Sequence, residues 1–149
     1  MKRILITRKL IKSSENYASK IFETKLNNKD NLLTKDQLIS ESNDCDGILY
    51  SITDKFDNEV IYKLSKKIKI ISNFAVGFGN IDLGAAKKRN IVVTNTPDVL
   101  TDATAEIAIL ILLGAARRAK EGMEWAKKKN WKWTADFLMG KQLSGARLG

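Results

Sequence analysis

Through the first hundred residues, short apolar runs of strand length alternate with short helix-like stretches, and this alternation constrains the fold more than any other feature. Strands and helices alternate five times, which predicts an α/β architecture with a parallel sheet covered on both faces. The first run, RILITR from Arg3 to Arg8, is followed by SSENYASKIFE, whose spacing is helical with Ser13 or Ser14 as the cap. Thr34-Lys35-Asp36-Gln37 is a capping box ahead of Leu38 and Ile39, so a second helix runs to about Ser42. The Asn-rich stretch Lys25 to Leu33 between these helices is assigned the second strand. Asp46 to Ser51 is a buried strand, and Asp57 or Asn58 caps a helix with Val60, Ile61 and Leu64 on one face. Lys69 to Phe74 is the next strand. Ile81 to Arg89 is a short helix, Asn90 stops it in the left-handed conformation, and Ile91 to Thr94 is the last strand. A flavodoxin-like, doubly wound sheet with strand order 2-1-3-4-5 is the first choice.

After Thr96-Pro97-Asp98 the rhythm changes. A helix starting at Thr101 or Asp102 is predicted to run to about Lys129, apolar all round at first and amphipathic later. Helices of that kind are buried between two bodies, either domains or subunits. The expected division is therefore a sheet domain over residues 1–100 and a long interface helix with its continuation over 101–149.

Composition removes several functional classes. The chain has one cysteine, Cys45, and no histidine, so it can form no internal disulfide, no His-ligated metal site and no Ser-His-Asp relay. No metal is expected, and a reducing cytoplasm is the simplest compartment. The N-terminus returns to charge after a few apolar residues, without the pattern of a signal peptide. The longest apolar run, Ile107 to Ala116, is half of the ~20 residues needed to span a membrane, so no membrane is expected. The net charge of +9 raises the question of nucleic acid. Its lysines, however, cluster at Lys66-Lys67-Lys69, Lys87-Lys88-Arg89 and Lys127-Lys128-Lys129, near predicted helix ends, where they complement the dipole. Only KKKNWKW interleaves aromatics with charge, and nucleic acid is not an expected partner.

The stretch NFAVGFGNID, Asn73 to Asp82, places two glycines after a strand and before a helix. A dinucleotide loop needs G-x-G-x-x-G, and Asp82 stands where the third glycine would be. A carboxylate there repels a pyrophosphate. No Gly-Lys-Ser/Thr occurs, which excludes a Walker loop. Two readings remain open: a turn in which Gly77 and Gly79 supply positive φ, or a loop whose exposed N–H groups hold a smaller anion such as a carboxylate. Position favours the second, because open α/β sheets place ligands at the carboxyl ends of their strands.

Asn73 to Asp82, together with NIVVTNTPDVLTDATAE from Asn90 to Glu106, resembles the D-2-hydroxyacid dehydrogenases, and within them the glyoxylate/hydroxypyruvate reductases. The resemblance covers essentially the whole chain. It implies a flavodoxin-like substrate domain, followed by a long helix that leads into a cofactor domain and builds much of a homodimer interface. It further implies that the backbone amides around Val76 and Gly77 bind the carboxylate of a small 2-oxo or 2-hydroxy acid. Thr104 would contact NAD or NADP near the nicotinamide; the alternative is an ordinary first-turn hydroxyl. In Trp131-Lys132-Trp133, an aromatic such as Trp133 reaches the partner's substrate pocket in some reductases, against simple packing as the other reading. Ser51 and Thr53, at the end of the third strand, could line the cleft.

The family's catalytic Arg, Glu and His have no counterpart here. By the resemblance they lie beyond residue 149, and so does the dinucleotide loop. The expectation is the N-terminal part of an NAD(P)-dependent reductase that by itself transfers no hydride. The alternative is a non-catalytic dimerising or corepressor-like binding protein of the same fold.

Overall fold

The computed structural model describes residues 1–130 and 132–149. They form two compact units, Met1–Val99 and Leu100–Gly149. The first unit contains, in chain order, β1 (Arg3–Ile6), α1 (Lys12–Ile21), β2 (Glu23–Leu26), α2 (Lys35–Glu41), β3 (Gly47–Tyr50), α3 (Asn58–Lys63), β4 (Ile70–Asn73), α4 (Leu83–Lys88) and β5 (Val92–Thr94). All neighbouring strands are parallel, in the expected order β2-β1-β3-β4-β5.

The period-two alternation of the strands sets which face each residue serves. Leu5, Ile48, Tyr50 and Ile71 point to one face and form a single cluster with Leu38 of α2, Val60 and Ile61 of α3, and Ala85 and Ala86 of α4. Burying each large member stabilises the fold by about 1.5–3 kcal/mol. Tyr50 meets Phe56 edge-on, with ring centroids 4.7 Å apart. Within this unit the opposite face carries α1. Ile4, Leu49 and Ile70 line a groove of about 420 Å³ there with Tyr17, Ala18 and Ile21 of α1. On this face Ile70 is 39% exposed and Val92 57%.

The local signals act as read at three helices. Thr34 and Gln37 form the complete capping box of α2, Asp57 caps α3 by accepting from Val60 N at 3.1 Å, and Asn90 ends α4 at φ 52°. Two expectations fail near the N-terminus. The first helix starts at Lys12 after Ile11, with no side-chain cap, so Ser13 and Ser14 lie inside its first turn. The second strand is Glu23–Leu26, which overlaps the Asn-rich stretch only at Lys25 and Leu26. From Asn27 onward the stretch is a turn: Asn27 donates Nδ2 to the carbonyls of Thr7 (2.8 Å) and Asn31 (2.7 Å), and Asp30 takes φ 53°.

In the second unit the predicted single helix is broken. It comprises α5 (Thr101–Ala116) and α6 (Ala119–Ala126), with Arg118 between them in the left-handed region at φ 52°. The break has a tertiary cause. The returning chain seats Lys141 N on the Ala116 carbonyl at 2.7 Å, so this carbonyl is not left for a continuing helical turn. A Cβ on Gly140 would stand 2.5 Å from that same oxygen, so only glycine fits the approach. Trp125 and Phe137 close the loop edge-to-face at 5.5 Å. Ile107, Ile109, Leu110 and Ile111 of α5 are all more than half exposed. No helix among the described residues is long and apolar enough to cross a membrane.

Candidate functional site

The carboxyl ends of β1, β3, β4 and β5 share one edge of the first unit. β4 finishes at Asn73, whose side chain follows the inward phase of the strand and is 2% exposed. A buried amide must find partners. Its Nδ2 donates to the Gly77 carbonyl at 2.5 Å, while Oδ1 is buried with no partner. The loop behind it is tied by its carbonyls. Ala75 O accepts from Thr96 N at 3.0 Å, and Val76 O accepts from Asn95 Nδ2 at 2.8 Å. The N–H groups of Val76, Gly77, Phe78 and Gly79 donate to nothing among the described residues, and all four residues are exposed. Such a run of outward amides is an acceptor-seeking surface, suited to a small anion.

The two glycines do not serve as left-handed hinges. Among the described residues only Gly145 has a positive-φ glycine conformation, so the reading of Gly77 and Gly79 as positive-φ turn residues is corrected. A Cβ on either would meet no atom within 4 Å. Neither conformation nor packing inside the unit calls for glycine there. The far end of the loop is held by Asn80, whose Nδ2 donates to the carbonyls of Ser51 (3.2 Å) and Asp54 (2.9 Å). Asp82 then caps α4 by accepting from Ala85 N at 2.8 Å. The helix start already holds a carboxylate, so a pyrophosphate does not fit there.

Ser51 and Thr53 stand on the same edge, joined hydroxyl to hydroxyl at 2.9 Å. Arg8 donates to Thr53 Oγ1 at 2.7 Å and pairs with Asp30 at 2.8 Å. The Arg8 guanidinium, with Lys9 N–H, holds the Asp30 carboxyl down at about 2. Asp54 is buried behind them and accepts from Thr7 Oγ1 at 2.7 Å and from Ser51 N at 3.1 Å. Arg8, Asp54, Asn73, Asn80 and Asn95 were not singled out from the sequence. For Asn73 a signal was present: a polar residue at the inward phase of a buried strand must be there for its hydrogen bonds.

The other candidates belong to the second unit. Thr104 is exposed in the first turn of α5; its N–H donates to Leu100 O at 2.9 Å, and its hydroxyl makes no hydrogen bond among the described residues. The first-turn hydroxyl of the alternative reading therefore satisfies no helix N–H here. Trp133 is 74% exposed. Trp131 lies outside the described residues. The described residues contain no group of His, Cys, Asp and Glu able to hold a metal ion.

A profile of the D-isomer specific 2-hydroxyacid dehydrogenase catalytic domain matches residues 4–140. The chain belongs to this family. It is 38% identical to a glycerate dehydrogenase of Hyphomicrobium methylovorum, over 99% of this chain and 46% of that protein. It is 32% identical to a glyoxylate reductase of Pyrococcus furiosus, over 99% of this chain and 45% of that protein. Among solved structures it is similar to an NADPH-dependent glyoxylate/hydroxypyruvate reductase of Sinorhizobium meliloti in complex with NADP and malonate. That match has a TM-score of 0.72 and 30% identity, over 87% of this chain and 39% of that one. The chain thus spans about half the length of the curated relatives it matches. In this chain the loop with the open amides lies within the matched residues 4–140.

Proposed function

We propose that this chain is the substrate-docking part of an NAD(P)-dependent 2-hydroxyacid dehydrogenase of the glyoxylate/hydroxypyruvate reductase type, which reduces a small 2-oxo acid to a D-2-hydroxy acid. The observation that carries the reading is the row of unused amides at Val76 and Gly77, beside glycines that nothing within the unit requires. Their N–H groups receive the carboxylate of the acid. Hydrogen bonds to a charged acceptor contribute about 1.5–3 kcal/mol each. Ser51 and Thr53 line the same edge, and their mutual hydrogen bond fixes the hydroxyls. Unit Met1–Val99 is the substrate domain in this reading, and the segment from Leu100 onward leads into a cofactor domain.

Among the described residues one contact suits the cofactor. The exposed, unengaged hydroxyl of Thr104 suits a hydrogen bond near the nicotinamide end of NAD or NADP, and the loop capped by Asp82 does not suit the pyrophosphate. When bound, the nicotinamide supplies the hydride. The chain has no histidine, so the histidine acid that the family resemblance implies for the alkoxide is not among these residues. Trp133 serves the substrate pocket of a second copy. The exposed apolar surface of α5 is the homodimer contact, since patches of that extent mark interaction sites. A reducing cytoplasm suits Cys45, a buried thiol whose burial pushes it up to about 11.

The test is an amide-shift titration of the 149-residue chain with oxamate, a stable 2-oxo acid analogue. Shifts centred on Val76 and Gly77 are expected, with acetate weaker. Shifts confined to the lysine clusters would remove the loop from the site. In parallel, the chain alone should oxidise no NAD(P)H with glyoxylate or hydroxypyruvate, and measurable turnover would contradict the division of labour.

A further inference from the structure

The carbonyl anchors of the loop assign a role to residues that the proposed function leaves unused. A peptide group is planar, and no peptide bond among the described residues is cis, so each N–H points opposite to the C=O of the same group. Fixing a carbonyl therefore fixes the amide of the next residue. The Ala75 carbonyl on Thr96 N sets the Val76 N–H, the Val76 carbonyl on Asn95 Nδ2 sets the Gly77 N–H, and the Gly77 carbonyl on Asn73 Nδ2 sets the Phe78 N–H. The donors all come from the ends of β4 and β5. Each of the three amides is turned away from its own donor and meets no other acceptor among the described residues.

We infer that Asn73 and Asn95 are positioning residues of the anion site, holding successive peptide planes so that Gly77 and Phe78 present N–H groups to a carboxylate beside that of Val76. The inference rests on the docking reading above and extends it by a third donor, Phe78. It explains why a buried Asn73 leaves Oδ1 without a partner: the side chain is kept for its donor, at the cost of an unsatisfied acceptor. Preorganised donors bind an anion without reorganising when it arrives.

The roles separate by residue, and so does the experiment. In ¹⁵N relaxation on the unliganded chain, Val76, Gly77 and Phe78 are expected near an order parameter of about 0.85, the value for rigid backbone. Asn95→Asp keeps the shape but removes the donor. It should lower Gly77 below about 0.6 and leave Phe78 high, whereas Asn73→Ala should do the reverse. A general loss of structure would not produce this crossed pattern. Each substitution should also weaken oxamate binding about tenfold, the size of one lost charge-assisted bond. Should Asn73→Ala fail to fold, the Asn95 arm decides alone, because that side chain is only partly buried. Rigid amides unaffected by Asn95→Asp overturn the positioning role, whatever oxamate does. The crossed pattern without any oxamate response overturns the anion reading instead, and with it the purpose of the anchors.

Discussion

Replacing Gly77 separates the needs of the fold from those of the site. Its φ lies outside the left-handed region, and an added Cβ meets no atom within 4 Å. Gly77→Ala should therefore behave as an open surface substitution, within about 0.5 kcal/mol of the parent. For a chain of this size that is about 1–2 °C in melting temperature. Gly77→Val places a branched side chain beside the amides of Val76 and Gly77, where the carboxylate would sit. Excluding it from one or two hydrogen bonds of about 1.5–3 kcal/mol each should weaken oxamate binding roughly tenfold to more than a hundredfold. Melts followed by circular dichroism and amide-shift titrations read the two quantities on the same samples. A drop of more than about 5 °C for Gly77→Ala would mean that the glycine serves the fold. Oxamate affinity unchanged by Gly77→Val would refute the assignment of these amides to the carboxylate.

Three further outcomes are expected. Arg89 donates to the carbonyls of Ile61 (2.6 Å), Tyr62 (2.9 Å) and Leu64 (3.0 Å) at the end of α3. Arg89→Met should cost about 2 kcal/mol in urea unfolding, and a change under about 0.5 would make these contacts incidental. Asp30 is held at about 2, first by Arg8 and then by Lys9 N–H. Its contribution to stability is complete above the ordinary carboxylate value of about 3.9 and disappears as pH falls through its folded value. A side-chain NMR titration of Asp30 with a midpoint near that ordinary value would show the pair to be absent. Burial pushes the Cys45 thiol up to about 11. At pH 8 it should react with a disulfide reagent roughly a hundredfold more slowly in the native chain than in urea, and equal rates would place it at the surface.

What the sequence revealed follows the range of the forces involved. Asp57, the Thr34–Gln37 pair and Asn90 act within a turn of themselves, so their roles were readable from adjacent residues. The parallel sheet followed from the alternation, and the strand order matched the first choice among doubly wound orders. The first helix was misplaced because Ile11 starts it without a capping side chain. The break at Arg118 had no local marker at all; it depends on Lys141 and Gly140 returning to Ala116 from more than twenty residues away. The loop itself stood out through its glycines, yet its anchors did not. Asn95 and Thr96 reach Val76 and Ala75 only because β5 lies beside β4, a contact made by the sheet.

That dependence also orders events in time. β3, β4 and β5 are each added beside a strand that precedes them in the chain, so the right half of the sheet can grow in the direction of synthesis. Such near-in-sequence additions carry small closure penalties. The loop at 74–79 is laid down before β5 exists, and two of its three carbonyl anchors arrive only with Asn95 and Thr96. A nascent chain that has completed β4 therefore holds this loop in unset form, and under the proposed docking role the receptor for the acid would mature only when the edge strand zips into place.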